Sequence, residues 1–259
     1  MAITYSEYLK LDELLKLQQP LSEGENDETL FIVIHQVYEL WFKQILHETS
    51  YLQSRFDSND TPQVMATFKR ILTILKTMVS QIDILETMTP LSFLSFRSRL
   101  ESSSGFQSVQ FRQFEIALGK RSPAVFAHHP EGSPARKQLE AEFKKPSLYD
   151  SFLHFLKANG YAVPAALLTR DLSQATAESP ELQDILLEVY RKNPVLAQIC
   201  ERFVDLDEGV QEWRYRHVKM VERTIGMRMG TGGSSGAEYL RATLMKPMFA
   251  DLWTIRVRF

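Results

Sequence analysis

The sequence has very little cysteine and no long apolar run. Cys200 is the single cysteine in 259 residues, which excludes an intrachain disulfide and suits a reducing compartment. No stretch of about 18 consecutive apolar residues occurs, and the opening segment "MAITYSEYLKLDELL" is too charged for a signal peptide. We therefore expect a cytoplasmic protein that does not enter a membrane.

An excess of charge of either sign is also missing. The chain carries 30 basic and 32 acidic side chains mixed along its length, giving a formal net charge of −2. Proteins that bind a nucleic acid backbone present a concentrated basic surface, so we expect no nucleic acid partner. The hydrophobic residues, 44% of the chain, are sufficient for a large core.

Strand-like alternation, hairpin turn signals and internal repeats are absent, whereas apolar residues recur at steps of three and four. This pattern predicts an all-α fold, a single domain over residues 1–259 built as a bundle of long helices. The last long helix is predicted between residues 194 and 226. Residues from about 120 to 194 contain most of the prolines and shorter amphipathic stretches, which we interpret as a smaller helical insertion.

The ends of the long helices carry recognisable signals. Asn26 or Asp27 could cap the first long helix, and Thr61 could cap the second, with Pro62 in the first helical position. Gly209 lies inside the last long helix, where glycine is less favourable than alanine by about 1 kcal/mol. We therefore expect Gly209 to be the weakest point of that helix.

Two histidines lie on apolar helical stripes. His217 follows Trp213 by four residues, so its imidazole would point into the bundle, where it could bind a metal or haem iron or be satisfied by a backbone carbonyl or water. His35 shares a narrow helical arc with Phe31 and Tyr38, which could form an apolar wall for a planar aromatic ligand. For each histidine taken singly, packing is the simpler interpretation.

An arginine and a glycine-rich segment are further candidates. Phe93 and Arg97 lie one helical turn apart, and a guanidinium on an apolar face suggests a grip on a carboxylate, although a lone arginine more often covers the core with its stem. The segment 226–240 is rich in glycine and contains Thr231. It is either a mobile connector or a lid that offers hydroxyl and amide donors to an anionic group.

The usual sequence motifs of metal centres are missing. There is no H-E-x-x-H, no C-x-x-C and no E-x-x-H of the di-iron bundles. His128 and His129 stand next to Pro130 in a proline-rich connector, and we expect both side chains to be solvated.

Several long segments, in order, carry a family pattern: "TYSEYLKLDELLKLQQP", "FIVIHQVYELWFKQILHE", "ILETMTPLSFLSFRSRLESSSGFQSVQFRQFE", "WRYRHVKMVERTIG" and "GTGGSSGAEYLRATL". Together they closely resemble the haem-dependent tryptophan 2,3-dioxygenases. The resemblance covers nearly the whole chain and is loose only between about 120 and 200.

The resemblance implies a homotetramer of all-α subunits, each holding one haem b (iron protoporphyrin IX) between helices. His217 matches the proximal axial ligand of the haem iron. His35 matches the distal histidine that hydrogen-bonds the indole N–H of the substrate, with Phe31 packed beside the indole ring. Ser104 falls in the haem-side "SGFQ" motif.

The remaining matches concern the amino-acid end of the substrate. Arg97 matches the arginine that pairs with the substrate carboxylate, and Thr231 matches the threonine that contacts the amino acid's backbone groups. Phe93 occupies a position where some members of the family carry tyrosine and others phenylalanine. With phenylalanine here, one hydroxyl contact to the carboxylate is lost, and Arg97 takes more of that role. The N-terminal segment 1–20 is expected to reach into a neighbouring subunit's site through three residues: Tyr5, Tyr8 and Leu9.

The activity implied by the resemblance is the insertion of both atoms of O₂ across the indole C2–C3 bond of L-tryptophan. The product is N-formyl-L-kynurenine, and the reaction is the first step of tryptophan breakdown by the kynurenine pathway. Two alternatives stay open: a related haem-dependent monooxygenase acting on a substituted tryptophan, and a helical haem-binding protein without catalysis.

Overall fold

The regular secondary structure is helical throughout the part of the chain that the computed structural model describes, residues 2–230 and 240–259, which confirms the predicted all-α class. No helix within these ranges combines the length and apolar character needed to span a bilayer. In chain order the helices are α1 (Tyr5–Leu9), α2 (Leu11–Leu14), α3 (Asn26–Asp57), α4 (Thr61–Leu85), α5 (Pro90–Arg97), α6 (Val109–Ala117), α7 (Pro134–Phe143), α8 (Leu148–Ala158), α9 (Ala165–Leu168), α10 (Pro180–Lys192), α11 (Pro194–Ile225) and α12 (Ala250–Thr254), with short 3₁₀ turns at Ser98–Leu100, Gly105–Gln107, Pro123–Phe126 and Ile255–Arg258.

Two of the expected helix caps are displaced by one residue. Glu25 stands at the N-cap of α3, so Asn26 and Asp27 are already helical and the expectation that one of them caps the helix is wrong. Asp60 caps α4 by accepting a hydrogen bond from a backbone N–H of the first turn, and Thr61 is the first helical residue. An aspartate carboxylate caps a helix as well as a threonine hydroxyl does, so Asp60, one residue before Thr61, takes the capping position.

The frame of the molecule consists of three long helices, in which α4 packs along both α3 and α11. Asn193 caps α11 through its side chain, and Gly226 ends it with φ +62°. A Cβ added at Gly209 would lie 2.7 Å from Cδ2 of Leu75 on α4. The glycine expected to weaken α11 therefore has a packing role, because it allows α4 and α11 to approach closely.

The main core surrounds Phe203 of α11. Its ring centroid lies 5.0 Å from that of Phe68 on α4, 4.7 Å from Phe152 on α8 and 4.9 Å from Phe249, and these side chains are fully buried. Helix α8, from the middle region of the chain, thus contributes to the main core. A smaller cluster of Ile34, Leu85, Met88 and Phe96 packs separately from it.

Candidate functional site

A cavity of about 270 Å³ is lined by residues of both core clusters. Small-molecule sites in proteins are commonly about 300–1,000 Å³ and mostly apolar. The structure brings to this one cavity six of the residues singled out from the sequence: Phe31, His35, Phe93, Arg97, Ser104 and His217. They come from α3, α5, α11 and the N-cap of the 3₁₀ turn Gly105–Gln107.

His217 lies on the inner side of α11, one turn after Trp213. Burial, and secondarily the nearby His35, lowers the pKa of His217 to about 4, so the imidazole is neutral at neutral pH. No residue of 2–230 or 240–259 forms a hydrogen bond with its ring nitrogens, whereas a packed core histidine is normally satisfied. The cavity therefore contains a neutral imidazole with a lone pair available to a ligand.

The tautomer of His35 follows from its one hydrogen bond. Its Nδ1 lies 2.7 Å from the carbonyl oxygen of Phe31, and because a carbonyl only accepts, Nδ1 must carry the proton. Burial among the surrounding side chains lowers the pKa of His35, which keeps the ring neutral although part of its surface faces the cavity. The other nitrogen, Nε2, is then a hydrogen-bond acceptor. The Phe31 ring packs against the imidazole at a centroid distance of 4.1 Å.

Helix α5 carries a guanidinium into an otherwise aromatic wall. Thr89 caps the helix, and Phe93 packs against Phe31 with centroids 5.9 Å apart. One nitrogen of Arg97 donates to the carbonyl oxygen of Met229, while its Nε is buried and has no partner in residues 2–230 or 240–259. No carboxylate pairs with Arg97 in the described ranges. The guanidinium of Arg97 therefore has donors that could bind the carboxylate of a ligand.

Ser104 starts the 3₁₀ turn Gly105–Gln107. Its hydroxyl oxygen accepts from the backbone N–H of Phe106 at 3.4 Å, and the Gln107 side chain in turn accepts from the Ser104 backbone N–H at 3.3 Å. This reciprocal capping fixes the side chain at the edge of the cavity.

The other predicted site residues are not part of this wall. Thr231 lies outside the described residues. Tyr5 and Tyr8, 75% and 74% exposed, and Leu9, 41% exposed, do not line the cavity of their own chain. Exposed aromatic side chains of this size suit contact with another chain. Their role in a neighbouring subunit stays a prediction.

A buried ion cluster in the cavity wall was not predicted from the sequence. Glu115, 2% exposed, contacts Arg112 at 2.6 Å, Lys120 at 2.6 Å and Arg214 at 2.8 Å. Burial raises the pKa of the Glu115 carboxyl, but the charges of Arg112, Lys120 and Arg214 outweigh it and hold the pKa below its usual value. The i,i+3 pair on α6 was visible in the sequence. It resembles an ordinary surface ion pair, however, and Arg214 is 99 residues away from Glu115.

The expectation that both adjacent histidines are solvated is wrong for His129, whereas His128 is only partly buried. His129 is buried at 6% exposure with no partner for its Nε2 among the described residues, and His128 stacks on Phe106 with centroids 5.2 Å apart. The 3₁₀ turn Pro123–Phe126, whose Val125 is buried, folds this segment back onto α6 and α7. Proline content alone did not indicate that the connector is packed.

Comparison with known proteins identifies the family of the chain. The profile of the family described as Tryptophan 2,3-dioxygenase matches residues 1–129 and 181–258. A tryptophan 2,3-dioxygenase of Herpetosiphon aurantiacus is 60% identical over 98% of this chain and 98% of its own. The tryptophan 2,3-dioxygenase of Anaeromyxobacter sp. strain K is 56% identical over 98% of this chain and 96% of its own. That of Caulobacter vibrioides is 44% identical over 99% of this chain and 98% of its own. The chain therefore belongs to the tryptophan 2,3-dioxygenase family.

Proposed function

We propose that this protein is a haem-dependent dioxygenase that converts L-tryptophan and O₂ to N-formyl-L-kynurenine. The observation that carries the proposal is the neutral imidazole of His217, which has no hydrogen-bond partner among the described residues. It lines the same cavity as a second neutral histidine and an arginine that pairs with no carboxylate in those residues. These are the groups that a metal-bound cofactor and an aromatic amino acid would each require.

The residues around the cavity fit haem b. His217 would supply a nitrogen donor to the haem iron. Arg112, Arg214 and Lys120 surround one carboxylate, Glu115, so two positive charges lack a contacting counter-ion in the described ranges. Buried charges are stable only when compensated, and haem b brings two propionate carboxylates. We infer that Arg112 and Arg214, which line the cavity, face these propionates.

The protein side chains supply binding and orientation. When bound, ferrous haem supplies an iron that binds and activates O₂. Arg97 holds the substrate carboxylate, and the rings of Phe31 and Phe93 hold the indole. Nε2 of His35 accepts a hydrogen bond from the indole N–H. Fixing both ends of the substrate places the C2–C3 bond in one orientation, which is catalysis by proximity.

His35 orients the substrate rather than removing its proton. An indole N–H is a very weak acid, and burial lowers the pKa of the His35 imidazole, which makes that ring a poorer base still. The hydrogen bond to the Phe31 carbonyl fixes the ring so that its accepting nitrogen is Nε2. The role of His35 is therefore to hold the indole through one neutral hydrogen bond.

The proposal extends to the assembly. We infer a homotetramer in which the N-terminal segment 1–20 completes the cavity of a neighbour, supported by the exposed Tyr5, Tyr8 and Leu9. We also infer a cytoplasmic location, supported by the single, buried and unpaired Cys200.

Isotope labelling tests the reaction. Reduced, haem-loaded protein is given L-tryptophan and ¹⁸O₂, and the product is analysed by mass spectrometry, with a sample kept oxidised as the control. We expect two labelled atoms in each product molecule. One labelled atom would instead indicate a monooxygenase, and a haem-loaded protein that leaves tryptophan unchanged would indicate a haem-binding protein without catalysis.

A further inference from the structure

The imidazole of His217 is stacked on an indole of its own helix. The ring centroids of Trp213 and His217 lie 5.3 Å apart and their planes are within 13° of parallel. The two residues are separated by four positions on α11, so their side chains overlie each other on one face of the helix. Rotation of the imidazole about its Cβ–Cγ bond would break this parallel contact.

Trp213 is itself held by rings from two other helices. Its centroid lies 4.9 Å from that of Phe111 on α6, and Tyr38 and Phe42 of α3 meet it edge-on at 6.3 and 6.1 Å. The hydroxyl of Tyr38 donates to the carbonyl oxygen of Met78 on α4 at 2.8 Å, which fixes that ring. The orientation of Trp213 is therefore set by α3, α4 and α6 together.

A histidine that binds a metal is ordinarily oriented by a hydrogen bond from its second ring nitrogen to a carboxylate, a carbonyl or water. His217 receives no such bond from residues 2–230 or 240–259. Its near neighbours are aromatic instead. The stacked indole lies over the face of the imidazole, so it restrains the ring plane by packing and not by a hydrogen bond within that plane.

We propose that Trp213 is a positioning residue that fixes the ring plane of His217 as an axial ligand. The inference rests on the proposed function, since it concerns His217 in its haem-bound form. An imidazole that coordinates a metal becomes more positive, and the electron-rich face of an indole stabilises positive charge. Trp213 therefore favours one orientation of the imidazole and also strengthens its bond to the metal.

Three variants of the haem-loaded protein test this role. Trp213→Leu removes the stacked ring, and Trp213→Phe keeps an aromatic face of smaller size. Trp41→Leu is the matched control, because Trp41 is packed partly buried against the main core on α3 and does not line the cavity. Trp213→Met repeats the test if the leucine variant does not fold.

Two readouts report on the axial ligand rather than on turnover. The first is the iron–histidine stretching band in the resonance Raman spectrum of the reduced protein, and the second is the rate of haem transfer to excess apomyoglobin. Stacked aromatic pairs contribute enough for Trp213→Leu to release haem about two- to tenfold faster than wild type. We expect the iron–histidine band of Trp213→Leu to be shifted or broadened. In both readouts Trp213→Phe should lie closer to wild type, and Trp41→Leu should match wild type.

An unchanged band and transfer rate in Trp213→Leu would overturn the inference. An equal change in Trp41→Leu would overturn it too, because the effect would then reflect a generally loosened core. Failure of the proposed function is distinguishable: wild-type protein loaded with haem would show no iron–histidine band at all.

Discussion

Replacing Arg97 by leucine should separate substrates that carry a carboxylate from those that do not. In the part of the chain that the structure describes, the buried Nε of Arg97 has no partner and one other nitrogen donates to the Met229 carbonyl, so the guanidinium has further donors available for a substrate carboxylate. Leucine keeps the apolar stem and removes every donor. L-tryptophan should therefore lose an interaction that tryptamine, which has no carboxylate, never makes.

The size of the loss follows from the partial burial of the guanidinium. Removing one partner of a buried ion pair costs about 3–5 kcal/mol, and Arg97 is partly open to the cavity, so we expect about 2–4 kcal/mol. This corresponds to a loss of about 30- to 1,000-fold in kcat/KM for L-tryptophan. For tryptamine the loss should stay within about threefold.

The assay is steady-state turnover of both substrates by wild type, Arg97→Leu and the control Arg99→Leu. Arg99 is exposed and lies two residues further along the chain, so its replacement should change neither substrate. Equal losses for L-tryptophan and tryptamine in Arg97→Leu would refute the reasoning, because the arginine would then support the site rather than bind the carboxylate.

Three further changes have defined outcomes. His35→Ala should lower kcat/KM about 3- to 12-fold by removing one neutral hydrogen bond, and complete loss of turnover in steady-state assays would contradict a role in orientation. Gly209→Ala should lower the free energy of unfolding in urea by about 1 kcal/mol, because crowding of the new methyl group against Leu75 outweighs the gain in helix propensity. In a Leu75→Ala background, where that crowding is removed, the same substitution should stabilise the protein. Tyr8→Ala should lower activity while leaving haem content unchanged, and full activity would argue against a role in the neighbour's site.

Helical spacing explains why much of the cavity could be predicted. His35 and Phe31 are one turn apart on α3, and the period of 3.6 residues places them on the same inner face. The same reasoning places His217 on the inner face of α11, and it places Arg97 and Phe93 on one face of α5. Local periodicity does not show which faces of different helices meet, and the resemblance to a family supplied that grouping.

Features set by tertiary contacts were harder to predict. The Glu115 cluster joins α6 to α11, and nothing near Arg214 in the sequence indicates its partner. His129 is buried because a short 3₁₀ turn folds back onto the bundle. The close approach at Gly209 likewise depends on a leucine in another helix, so the sequence alone suggested only a weakened α11.

The most direct test of the account is the axial role of His217. His217→Gly, purified and loaded with haem alongside wild type, should retain much less haem and lose the iron–histidine band of the reduced protein, and added imidazole should restore both. A glycine variant with the haem content and spectrum of wild type, in the absence of imidazole, would contradict the account.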